Sequence, residues 1–158
     1  MKIILLLAML IMSGCSSLPV SKSVPKLKVE YVEGVSETTG EIKVGIVRNN
    51  TFLSAGIHYW PVYGRQAIAG ILIGDYIEFY LSKKGRSFGV ACHGGWSSSW
   101  KIRNYEINNE TPNEIYFLIS PSVTEGDQCV DMEKIDKEEF LGWKASSKRV
   151  NVGEVSMR

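Results

Sequence analysis

Cys92 and His93 stand side by side in G-V-A-C-H-G-G-W-S-S-S-W, residues 89–100, and a thiol with an imidazole is the pair that a cysteine nucleophile requires. The segment Ser87 to His93 reads as a strand. Neighbouring strand residues point to opposite faces, so adjacency in sequence separates the two groups. A zinc site would draw on His58, Cys92, His93 and Cys129, whose spacing matches no C-x2-C or H-x3-H ligand pair. Ser98-Ser-Trp-Lys101 has the S-x-x-K form of penicillin-binding proteins. That motif works from a helix start, with S-D-N and K-T-G elements elsewhere, whereas here it opens a strand and has neither companion. The carboxylates of residues 133–139 fall on a turn and a helix start, where acids suit the helix dipole, and not in the dry pocket that general acid–base work needs. The sequence therefore predicts no catalytic residue, no metal and no cofactor.

Aromatic side chains are the class left with a possible recognition role. Tyr59, Trp60, Tyr63, Trp96 and Trp100 fall near expected turns, and exposed Trp and Tyr serve as binding anchors. A β-sandwich also needs large inward-facing residues, so packing is the competing role for each. The Gly94-Gly95 pair and the serines around Trp96 and Trp100 favour an exposed edge there. Tyr59, Trp60, Trp96 and Trp100 are accordingly the candidate binding set.

These residues need elements to hold them, and the amino terminus must be set aside first. Met1-Lys2 precedes an apolar run, Ile3 to Met12, about half as long as the roughly 20 residues of a membrane-spanning helix. Met12-Ser13-Gly14-Cys15 follows and resembles the signal of bacterial lipoproteins, with Met where Leu is usual. The resemblance implies a signal peptide over 1–14, a lipidated Cys15 and an acylated amino terminus held in a bilayer. With Ser16 and no Asp after the cysteine, it further implies the outer membrane of the bacterial cell envelope. Several acyl chains anchor stably where one alone holds weakly.

In such an exported compartment thiols seldom stay free, and Cys15 is taken by the lipid. Cys92 and Cys129 then form the one available disulfide, closing a loop that stabilises by about 3.8 kcal/mol in the chain-entropy view. The Ser-, Pro- and Lys-rich residues up to 27 read as a tether, which leaves 28–158 as one domain. With 18 basic and 17 acidic residues, the chain offers no net field to recruit nucleic acid.

Within 28–158, short runs of Val, Ile, Tyr, Phe and Trp alternate with Gly, Asn, Asp and Ser. Strands are expected over 28–32, 41–48, 56–63, 66–72, 76–82, 87–93, 99–107, 114–120 and 128–134. In E-I-K-V-G-I-V-R, Ile42, Val44 and Ile46 share one face. Asp136 with Glu139 three residues later marks a helix start, followed by Phe140, Leu141 and Trp143. The fold class is all-β: a single antiparallel β-sandwich of about seven to nine short strands with one short helix near the carboxyl terminus.

The run from Pro61 to Cys92 resembles small bacterial envelope lipoproteins carrying an uncharacterised all-β domain, similar in layout to carboxypeptidase-regulatory-like sandwiches. The segment 114–120 and the short helix continue the likeness. Lys84-Gly85-Arg86 departs from it, since relatives more often show Pro-Gly-Lys-His at that turn. No catalytic residue is implied. The expectation is a membrane-anchored, non-catalytic binding or scaffolding module with an envelope protein partner. The alternative is an inhibitor or immunity lipoprotein that blocks a cell-wall hydrolase or toxin.

Overall fold

Two sheets face each other across an apolar layer, as the period-two patterning requires. The computed structural model describes residues 27–50, 57–83, 87–93, 100–122 and 130–157. In chain order these residues form β1 (Val35–Ser36), β2 (Ile42–Arg48), β3 (Trp60–Tyr63), β4 (Gln66–Ala67), β5 (Asp75–Leu81), β6 (Phe88–His93), β7 (Trp100–Tyr105), β8 (Glu114–Pro121), β9 (Val130–Ile135), α1 (Lys137–Ala145) and β10 (Lys148–Arg149). The all-β class and the short helix near the carboxyl terminus are as expected. The expected strand over 28–32 is reduced to a single bridge between Val29 and Ala67, and that over 66–72 to β4 and two further bridges.

The larger sheet runs β1-β5-β2-β8-β9, with β10 also paired to β5; the smaller runs β4-β3-β6-β7. Most ladders are antiparallel, but β2 pairs parallel with β8 and β10 parallel with β5. A parallel neighbour needs a long crossover, and the one that joins β2 to β8 carries the whole smaller sheet together with β5.

Between the sheets lie Val44 and Ile46 of β2, Ile77 and Phe79 of β5, Phe117 of β8 and Phe88 of β6, all at most 1% exposed. Each such side chain contributes roughly 1.5–3 kcal/mol on burial. Phe79, Phe88, Phe117 and Tyr105 form a chain of rings with centroids 5.2–5.8 Å apart, which ties the two sheets together.

The outer face of the larger sheet is covered by α1. Asp136 caps the helix, its carboxylate accepting from the Glu139 N–H at 2.8 Å. Phe140 then stacks on Tyr116 at 4.7 Å. Around this apolar contact Glu78 forms ion pairs with both Lys43 on β2 and Lys144 on α1, so the helix is clamped to the sheet by charge as well as by packing.

Candidate functional site

The smaller sheet carries the candidate site on its outer face. In β3, Trp60 and Val62 point outward while Tyr63, and Tyr59 just before the strand, point into the core. Register extends that face sideways, because Trp60 pairs with Ala91 of β6 and Ala91 with Ile102 of β7. His93 and Trp100 are likewise paired. Residues from three strands thus form one aromatic surface.

Its rings follow in sequence across the sheet. His58 lies 5.4 Å from Trp60, Trp60 meets Trp100 edge-on at 6.3 Å and 79°, and Trp100 meets His93 edge-on at 5.4 Å and 80°. Edge-to-face packing of this kind fixes ring orientation beyond what area burial supplies. His58 Nε2 is 2.8 Å from the Ser156 carbonyl oxygen, so the carboxyl-terminal segment holds the first ring in place.

Trp60 is the buried member, 1% exposed, and both ends of the described chain pack on its cluster: Leu27 and Val29 from one end, Val155 from the other. Gly70 makes this possible. A Cβ there would stand 2.8 Å from the Trp60 ring and 3.1 Å from Val155, so any larger residue would push the indole off the backbone. Trp100 is half-buried, and Ile102, two residues along β7, is 42% exposed.

The residues singled out from sequence therefore separate. Trp60 and Trp100 come together, with Trp60 too buried to be an accessible anchor itself; Tyr59 does not join them. It is 2% exposed within the core, where the Arg48 guanidinium stands 4.2 Å from its ring centre, so it is not an accessible anchor. Adjacent strand residues take opposite faces, which is why Tyr59 and Trp60 cannot serve one surface. Cys92 is fully buried on the inner face and His93 lies outside, beside Trp100. The two histidines share the outer face, opposite to Cys92. Among the described residues no group of three or more His, Cys, Asp or Glu is arranged to hold a metal. Cys15, Trp96, Ser98 and Cys129 lie outside the described residues.

Two features had no distinct sequence signal. Arg48 is buried at the end of β2, where its guanidinium donates to the carbonyls of Ile57 and Ile71. Burial pulls its pKa below the ordinary arginine value, against the opposing influence of Tyr59 and Asp75. Asp75 is buried too, and its carboxylate accepts from the Leu72 N–H at 2.8 Å. Alternation with Ile42, Val44 and Ile46 puts Arg48 on the inner face of β2, but the carbonyls that receive it come from Ile57 and Ile71, which only the tertiary structure brings there. His58 likewise shows its place only once the carboxyl terminus folds back to it.

Comparison with protein-family models, with curated proteins and with solved structures finds no match. The chemistry of the site rests on its own geometry: a rigid aromatic surface with one half-exposed indole and one exposed aliphatic side chain at a sheet edge.

Proposed function

We propose that this chain is a membrane-tethered, non-catalytic binding module of the bacterial cell envelope, and that it takes a protein partner at the β7 edge of its smaller sheet. One observation carries the reading. Trp100 is held between Trp60 and His93 while still half-exposed, beside the exposed Ile102. Large side chains whose orientation is fixed before binding lose little freedom on association, and Trp is the residue most enriched at interface hot spots. β7 stands last in the strand order of the smaller sheet.

The anchor belongs to the same reading: lipidation at Cys15, supported by the resemblance of Met12-Ser13-Gly14-Cys15 to lipoprotein signals, with the outer membrane as destination. A Cys92–Cys129 disulfide completes it. Its support is that Cys92 is buried and not free, and that β6 and β9 lie against each other across the sandwich.

A photo-reactive residue at position 102, compared with one at the exposed position 141 on α1, tests the binding edge in envelope preparations. The expected result is a discrete cross-linked partner from position 102 that Trp100→Ala abolishes, with the melting transition retained. A partner captured from 141 and not from 102, or a Trp100→Ala protein that no longer folds, overturns the assignment.

A further inference from the structure

The two ends of the described chain meet on one side of the molecule, where exposed apolar side chains stand among charges of both signs. Val29 bridges Ala67 and Val155 bridges Gly70, three residues apart on one run of chain, and both valines pack on the Trp60 cluster. Val152 N–H donates to the Glu37 carboxylate at 2.7 Å, a second link between the amino- and carboxyl-terminal segments. Beside this junction are the two most exposed large apolar side chains of the described residues, Tyr31 at 85% and Met157 at 80%. A groove of about 360 Å³ places Met157 with the exposed cations Lys148 and Arg149. Glu154 also lines it; its carboxylate accepts from the Asn151 N–H at 3.1 Å and offsets one of the two positive charges.

We infer that this junction, with Tyr31, Met157, Lys148 and Arg149, rests against the phospholipid surface and turns the β7 edge away from it. The inference rests on the tethered reading above. Only eleven residues separate Cys15 from Leu27, so an anchored chain brings Leu27 within at most about 40 Å of the bilayer, and a flexible one holds it near 20 Å. The surface beside Leu27 is therefore the one the tether presents to lipid.

Its chemistry suits that neighbour. Tyr is favoured at the level of the head groups, and a flexible thioether enters the acyl boundary at little cost. Each cation near an anionic leaflet strengthens association about fivefold. β4, which flanks Val29, and β7 stand at opposite edges of the smaller sheet, about 14 Å apart at ordinary strand spacing, so lipid contact at one edge leaves the other free for a partner.

Hydroxyl-radical footprinting of the mature lipidated protein on vesicles of phosphatidylcholine with phosphatidylglycerol tests this, with the Cys15→Ser chain in solution as reference. Labelling of Tyr31 and Met157 is expected to fall about threefold on vesicles, while Ile102 and Leu141 label as in solution. Lys148→Glu with Arg149→Glu should restore most of the labelling while the protein still co-sediments with vesicles. Unchanged labelling of Tyr31 and Met157 in co-sedimented protein overturns the lipid-facing surface and leaves the anchor standing. Failure to co-sediment overturns both. Protection by inorganic phosphate alone, without vesicles, would show an ion site in place of a lipid surface.

Discussion

The ring of Phe140 lies directly over Gly45: a Cβ at position 45 would stand 2.8 Å from Phe140 Cζ and 2.6 Å from Tyr116 Cδ1. This contact seats α1 on the larger sheet. Glycine weakens a strand elsewhere, but here its missing side chain is the space that the phenylalanine occupies. Gly45→Val is expected to lift the helix and lower stability by about 1–3 kcal/mol, the usual cost of overpacking. Phe140→Ala, which empties the same space, should cost about 3–5 kcal/mol. Denaturant unfolding of the two variants checks both; a Gly45→Val protein as stable as the parent would refute the contact.

Glu78 gives the helix clamp a pH dependence. Burial pushes its carboxyl upward, but hydrogen bonds from Lys144 and Lys43 outweigh this, and the group is held below its ordinary value of 4.5. A depressed carboxyl stabilises fully above its unfolded value and loses that contribution as pH falls through the folded one. Stability should therefore decline as pH drops below 4.5, and more steeply in the parent than in Glu78→Gln. Lys43 is raised above 10.5, chiefly by its bond to Glu78, so the same clamp weakens again as pH rises through that higher value. At neutral pH, Glu78→Gln should cost about 1 kcal/mol, a modest figure because the pair is partly screened by solvent. Equal acid sensitivity in parent and variant counts against the clamp.

Arg48 is expected to be needed both for its charge and for its planar guanidinium, whose Nη1 donates to two carbonyls. Arg48→Ala leaves the carbonyls of Ile57 and Ile71 without this donor and removes the cation from the face of Tyr59, at an expected cost of about 3 kcal/mol. Arg48→Lys keeps the charge but loses the planar geometry, and should fall between parent and alanine variant. Thermal melting ranks the three. A lysine variant no better than alanine would place the contribution in the guanidinium geometry alone.

The proposed Cys92–Cys129 disulfide can be separated from simple packing by comparing the two cysteines. Cys92→Ala empties a buried position whatever its pairing, so its loss alone decides nothing. Cys129→Ala should cost about 2–4 kcal/mol if the bridge exists, and the double variant little more than the single ones. Two free thiols, by alkylation and mass spectrometry of protein isolated without reductant, would refute the pairing.

Local patterning carried much of the architecture. Ile42, Val44 and Ile46 do share the inner face of β2, Asp136 does cap α1, and Cys92 and His93 do part to opposite faces. These follow from side-chain period and from hydrogen bonds within a few residues, which the chain specifies wherever it folds. The split between Tyr59 and Trp60 was half legible: alternation separates them, but which one enters the core depends on which side the larger sheet covers.

Tertiary structure alone decided the rest. The parallel pairing of β2 with β8 joins residues some seventy positions apart. Register over such distances is set by the whole set of buried faces, and not by any local motif. The Trp60 cluster draws Leu27 and Val155 together from opposite ends of the described chain, and Arg48 meets carbonyls of Ile57 and Ile71 that no local motif places beside it. Sequence by itself determined what each segment can be, because period, capping and turn chemistry act over a few residues. Which segments meet, and so which side chains form a surface, is settled only when distant apolar faces are buried against each other.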